Sequence, residues 1–171
     1  MSDKIYNVLF LCTGNSARSI LGEALMNKMG EGRFRAWSAG SQPTGAVHPM
    51  ALSVLGGLGY DVSGFRSKSW SEFVASDAPQ FDFIITVCDN AAGETCPIWP
   101  GKPLTAHWGI EDPATVEGDS QREAFMQALR YLANRINLFL SLPHSSIDEM
   151  AMRQKLKEIG RAEGASIGAS E

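Results

Sequence analysis

No apolar run in this chain approaches the roughly 20 residues that a bilayer-spanning helix needs, so no membrane role is expected. A basic excess is also missing. Fifteen Lys and Arg face 19 Asp and Glu, a net charge of −4, which argues against nucleic-acid binding, where a basic stripe is the usual footprint. The chain has only three cysteines, Cys12, Cys88 and Cys96, and three histidines, His48, His107 and His144. No C-x-x-C pair is present, so a zinc site is a weak reading and no metal is expected. No cofactor is expected either. The N-terminal Met1-Ser2-Asp3-Lys4-Ile5 has no signal-peptide pattern. The expectation is a cytoplasmic protein, whose thiols stay reduced and are more suited to reactivity than to structural bridging.

What is present is an ordinary globular composition, 44% hydrophobic and 20% charged over 171 residues, enough for one cored domain. Residues 1–160 are expected to form that domain, with a flexible tail over 161–171. Ile5 to Leu11 is mostly apolar, as in a strand buried on both faces of a parallel sheet. The following apolar spacing from Ala17 to Met29 is helical, with Ser16 or Asn15 able to cap it. Further strands are expected over Phe34–Ser38, Phe81–Val87 and Leu104–His107. Helices are expected from Pro49 to about Leu58, from the Ser120–Glu123 capping box to Leu140, and from the Ser146–Glu149 capping box to about Ile159. A short helix fits Ser69–Val74. This β-α alternation predicts an α/β fold with an open parallel sheet. Ligands of such sheets sit outside the carboxyl ends of the strands. Cys12, Cys88 and Asp112 follow the first, third and fourth strands, and are therefore expected on one rim.

The centre of the chain's chemistry is Cys12-Thr13-Gly14-Asn15-Ser16-Ala17-Arg18-Ser19, between the first strand and the first helix. A thiol ahead of a helix N-terminus sees unpaired N–H groups and the positive dipole end, which favour the thiolate. A lowered Cys12 pKa is therefore expected. The amides of Thr13, Gly14, Asn15, Ser16 and Ala17 can cradle an anion, and Arg18 offers a planar fork for two oxyanion oxygens. Taken alone, Cys12 is as readily a small buried hydrophobe. The arginine, the glycine and the helix start favour nucleophilic attack on a tetrahedral oxyanion. Asp112, extended because Pro113 follows, reads either as a turn residue or as the general acid for a departing oxygen. Cys88 reads as a buried strand-end residue or as a second redox thiol, and Cys96, on a Gly/Pro-rich loop, as incidental or as a thiol able to carry a disulfide outward.

The C-T-G-N-S-A-R-S loop resembles the phosphate loop of the low-molecular-weight tyrosine phosphatase superfamily. Ile85-Thr86-Val87-Cys88-Asp89-Asn90-Ala91-Ala92-Gly93-Glu94-Thr95-Cys96-Pro97, Thr105-Ala106-His107-Trp108-Gly109 and Asp112-Pro113-Ala114 resemble the arsenate reductases that share its fold. The resemblance implies a four-stranded sheet of order 2-1-3-4 with helices on both faces. It also implies arsenate reduction to arsenite, with Cys12 as nucleophile, Ser19 supporting it, Asp112 as acid, Cys88 resolving and Cys96 shuttling the disulfide. The implied partners are an arsenate- or phosphate-like oxyanion and an electron donor, either thioredoxin or glutaredoxin with a low-molecular-weight thiol. The alternative is a phosphotyrosine or phosphoester phosphatase using Cys12, Arg18 and Asp112 alone. Tyrosines that usually follow Asp-Pro in such phosphatases are replaced here by Ala114 and Thr115, which fits a small inorganic oxyanion better. Some members bind potassium under the loop. Asn15, Glu23 and Ser38 match three of its ligands, and Lys68 falls near the fourth, so its ammonium is expected to replace the ion.

Overall fold

The computed structural model describes residues 4–88, 99 and 101–165. Four parallel strands, β1 (Tyr6–Leu11), β2 (Phe34–Ala39), β3 (Phe83–Thr86) and β4 (Leu104–His107), lie in the order β2-β1-β3-β4. Among the described residues four α-helices accompany them: α1 (Arg18–Met29), α2 (Pro49–Gly57), α3 (Gln121–Leu140) and α4 (Glu149–Gly160). The 2-1-3-4 order is the one the sequence resemblance implies. It pairs β1 with β3, setting Leu11 against Thr86. The residues that immediately follow both strands therefore emerge side by side.

Each strand alternates its side chains between two faces. Val8, Phe10, Phe83 and Ile85 join the larger core with residues of all four helices, including Leu21, Leu55, Phe125 and Leu156. Leu9, Leu11 and Ile84 point the other way, where Phe73, Phe81 and Trp99 cover them. The cover there includes a 3-10 turn over Trp70–Phe73, begun by the Ser69 side chain accepting from Ser71 N. Helical elements thus protect both faces, and Val8 to Leu11 of β1 are sealed from water on each side. Among the described residues no helix is long and apolar enough to cross a membrane.

The helix starts differ from the sequence reading. α1 has Ala17 at its N-cap and no side-chain cap, because Asn15 spends its amide elsewhere. Ser120 does not cap α3. It is already helical, at the end of a 3-10 turn over Gly118–Ser120, so its hydroxyl is not placed to reach forward. α4 is capped by Asp148, not Ser146, through Ala151 N at 2.8 Å. His48 caps α2, its Nδ1 accepting from Met50 N, with Pro49 at the first helical position. Within the expected tail, residues 161–165 make specific contacts. The Arg135 guanidinium donates to Ala162 O and Glu163 O, each at 3.1 Å, and Ala165 bridges to Ile110.

Candidate active site

The loop that leaves β1 is held by its carbonyls. Thr13 O accepts from Gln42 N at 2.9 Å, Gly14 O from Thr44 N at 3.1 Å and Ser67 Oγ at 3.0 Å, and Ser16 O from His48 N at 2.9 Å. With the carbonyls turned outward, the opposite side of the loop presents amides. The N–H groups of Gly14, Asn15, Ser16, Ala17 and Arg18 have no acceptor among the described residues. This explains why α1 tolerates an uncapped start: the orphan donors of its first turn line the concave side of the loop. Gly40 makes the close approach feasible. A Cβ there would run into Thr13 O and come within 2.7 Å of Cys12 O.

Under the loop lies a buried polar floor. Asn15 sits at φ 45°, a left-handed conformation that asparagine adopts more readily than most residues. Its Nδ2 donates to Ser19 Oγ at 2.8 Å and its Oδ1 accepts from Lys68 N at 2.9 Å. Lys68 Nζ reaches Arg66 O at 3.2 Å, Ser38 Oγ at 3.5 Å and Glu23 Oε1 at 3.8 Å. The Ser38 hydroxyl donates to the same Glu23 oxygen at 2.5 Å. Burial pushes the Glu23 carboxyl up, against the pull of Lys68, and burial pulls the Lys68 ammonium down, against Glu23. Each group keeps the other's charge tolerable in a site that water barely reaches.

At the mouth, Arg18 Nη1 donates to Ile110 O at 2.9 Å and Nη2 lies 3.5 Å from Asp112 Oδ2. Its buried Nε has no partner among the described residues. Asp112 also starts a 3-10 turn over Pro113–Thr115, its Oδ1 accepting from Ala114 N at 3.0 Å. The carboxyl is over a third exposed.

Cys12 and Cys88 are both buried free thiols, and they follow the paired strands β1 and β3. Cys88 Sγ accepts from Thr13 N at 3.3 Å, so the Thr13 amide, expected in the anion cradle, is spent on that sulfur. The lowered Cys12 pKa expected from the sequence is not what this arrangement produces. The neighbouring Cys88 thiol, then burial, push Cys12 well above its ordinary range, while the nearby Arg18 charge pulls it back. Two neighbouring sulfurs cannot both ionise cheaply. The helix terminus is legible in the sequence; the second thiol is not, because the pairing of β1 with β3 is what brings Cys88 beside the loop. Cys96 lies outside the described residues. Among the described residues no group of three His, Cys, Asp or Glu is placed to hold a metal ion.

A strand, an anion-ready loop, an arginine and an aspartate thus meet at one rim. The residue pattern of the low molecular weight phosphotyrosine protein phosphatases matches residues 7–156. The chain belongs to this family. Among its relatives, an arsenate reductase of Bacillus subtilis (strain 168) is 33% identical over 141 residues, covering 81% of this chain and 96% of that protein. The crystal structure of an arsenate reductase from Archaeoglobus fulgidus superposes with a TM-score of 0.59 at 28% identity, over 76% of this chain and 98% of that one. A thioredoxin-dependent arsenate reductase of Corynebacterium glutamicum is similar at a TM-score of 0.55 and 25% identity, over 81% of this chain and 65% of that one.

Within the phosphatase family frame, the structure brings Cys12, Thr13, Gly14, Asn15, Ser16, Ala17, Arg18, Ser19, Cys88 and Asp112 to one site. Three contributors escaped the sequence reading. Gly40 gives the loop its room, Ser67 holds Gly14, and Ile110 O holds Arg18. Gly40 carried a faint signal, as a glycine directly after a strand whose partner ends at the loop. The other two act through backbone or small-side-chain contacts that no local pattern reveals.

Proposed function

We propose that this protein reduces arsenate to arsenite. The observation that supports the reading most is a second buried thiol, Cys88, seated against the oxyanion loop on the amide next to Cys12. A phosphatase needs the first sulfur only. Curated relatives named as arsenate reductases point the same way.

The oxyanion sits on the amides of Gly14 to Arg18, and Arg18 turns its unpartnered Nε toward it. Cys88 moves away from Cys12, which removes the largest influence raising the Cys12 pKa and leaves the Arg18 charge and the free amides acting on the thiolate. Ser19, whose oxygen accepts from Asn15, keeps its hydroxyl hydrogen for that thiolate. Cys12 sulfur bonds to arsenic, and one arsenic–oxygen bond breaks as Asp112 delivers a proton, so the oxygen leaves as water. Cys88 thiolate then attacks Cys12 sulfur. The sulfur–arsenic electron pair stays on arsenic, arsenite leaves, and a Cys12–Cys88 disulfide remains. Attack of Cys96 on Cys88 frees Cys12 and passes the disulfide to Cys88–Cys96, for reduction by an external dithiol such as thioredoxin or by glutaredoxin with a low-molecular-weight thiol. A cytoplasmic setting suits thiols that must be reduced between turnovers.

Two variants test this. Cys12→Ser abolishes arsenate reduction and hydrolysis of a generic aryl phosphate. Cys88→Ser abolishes catalytic arsenate turnover yet leaves the aryl phosphatase activity; normal arsenate turnover by Cys88→Ser would remove its resolving role. The second reading, a phosphoester phosphatase, is favoured by the phosphatase pattern over residues 7–156; the Arg18–Asp112 pairing serves either reaction. It predicts that Cys88→Ser changes nothing on the physiological ester. Measuring arsenite formation with each purified donor system identifies the reductant.

A further inference from the structure

The chain continues beyond the residues that the family pattern covers, and the continuation returns to the active-site rim. After α4, residues 161–165 run back along α3 to Ile110. Ile110 is the crossing point of the rim. Its amide donates to Val87 O at 3.2 Å, its carbonyl accepts from Arg18, and Ala165 pairs with it from outside. Asp112 stands two residues further on. The turn that carries Asp112 rests on the main core through the buried Pro113 and the half-buried Ala114, and beside it opens a cavity of about 310 Å³, lined by Pro113, Thr115, Tyr131, Gly164 and Ala165. Residues 161–165 meet this rim at its Ile110 end.

The returning segment is itself clamped. Arg135 is fully buried on α3, and no carboxylate pairs with it among the described residues. Its guanidinium instead donates to three carbonyls, those of Tyr131, Ala162 and Glu163, all at 3.1 Å. Burying an arginine this way is expensive unless its planar fork is well used, and two of its three bonds go to the returning segment. Gly164 lies flat on the Tyr131 ring at φ 92°, where any Cβ would collide with the ring. Trp108, just past β4, donates its Nε1 to Leu156 O at 3.1 Å, tying α4 to the same rim.

We propose that residues 161–165, clamped by Arg135 and seated on Tyr131, form a strap that sets the position of Ile110 and through it of Arg18 and Asp112. Arg135 and Gly164 are positioning residues and touch no reacting atom. The inference rests on the roles given above to Arg18 and Asp112.

Gly164→Ala lifts the strap from Tyr131, and Arg135→Lys keeps the charge but cannot reach all three carbonyls with one point donor. Should Gly164→Ala fail to fold, Arg135→Lys carries the test. Phosphate affinity is read from how well inorganic phosphate protects Cys12 of the full chain from iodoacetamide. The expected result is about tenfold weaker binding. Arsenate kcat is then compared with and without Asp112→Asn. A strap that places both Arg18 and Asp112 loses about tenfold in the wild-type background and several-fold less in the Asp112→Asn background, where only the part carried by Arg18 remains, since coupled residues are not additive. A merely structural role gives equal losses in both. Wild-type phosphate affinity in the folded variants, or equal kcat losses in both backgrounds, overturns the proposal. If the wild-type protein binds phosphate but does not reduce arsenate, the reductase reading fails, and phosphate affinity alone decides on the strap.

Discussion

Below the Cys12–Arg18 loop, Asn15, Ser19, Ser38, Glu23 and Lys68 are bonded to one another with little or no contact with water. Above it, Arg18 and Asp112 meet at 3.5 Å, with Asp112 over a third exposed and beside a cavity. The floor is over-determined and the mouth is held at few points. That contrast suits an enzyme of this kind. In the proposed reaction the amides must stay in one arrangement to recognise a tetrahedral anion, whereas the proposed acid and cysteines would have to shift to move a disulfide.

Breaking the floor should have the largest effect. Lys68→Met leaves Glu23 buried beside Ser38 without its cation, and should destabilise the protein by about 3–5 kcal/mol in urea unfolding, the range for a broken buried pair. The double variant Lys68→Met/Glu23→Met should recover much of that loss, because the uncompensated charge is gone as well; no recovery would mean the floor is held by something other than this pair. Gly40→Ala drives a Cβ into the Thr13 and Cys12 carbonyls. It should cost about 2–3 kcal/mol of stability, as overpacked sites do, and abolish phosphate protection of Cys12.

Changes at the mouth should spare stability. Asp112→Asn should lower kcat by about a hundredfold, within the usual range for a lost general acid, with a melting temperature close to wild type. Cys88→Ala removes the first cause of the raised Cys12 pKa. Iodoacetamide should then modify Cys12 several-fold faster at neutral pH, and the rise in alkylation rate with pH should begin at lower pH. The sign follows from the shift: a thiol held above its ordinary pKa ionises earlier once the cause is removed. An unchanged profile would place the burden on burial instead. The smallest effect belongs to the ion. With the Lys68 ammonium already beside Glu23 and Ser38, exchanging KCl for NaCl at equal ionic strength should alter activity by less than twofold; a strong, specific potassium dependence would show that Lys68 does not stand in for a cation.

Much of the fold could be read from the chain. The apolar run into Cys12, the helical spacing after it and the later β-α alternation point to an open parallel sheet, and the motif resemblance implies the observed strand order. The helix starts were less legible. Ser120 and Ser146 carry the capping pattern, yet neither caps, because a preceding turn or a competing Asp148 takes the position. Residues 161–165 looked like a tail because they are small and polar. Small residues are also what a close approach to Tyr131 demands, and composition alone does not separate the two.

By itself the sequence determined the Cys12–Arg18 loop, its place between strand and helix, and the rim that Cys88 and Asp112 share. These follow from local periodicity and from the handed, unknotted way that β-α units connect. Only the tertiary structure decided which groups surround that loop. Lys68 comes beneath it from 53 residues away, Ile110 O reaches Arg18 across 92, and Cys88 settles on the amide of Thr13, where its thiol pushes the Cys12 pKa up instead of down. Such contacts are set by how whole elements pack and by what must then neutralise a buried charge, and no short stretch of chain encodes them.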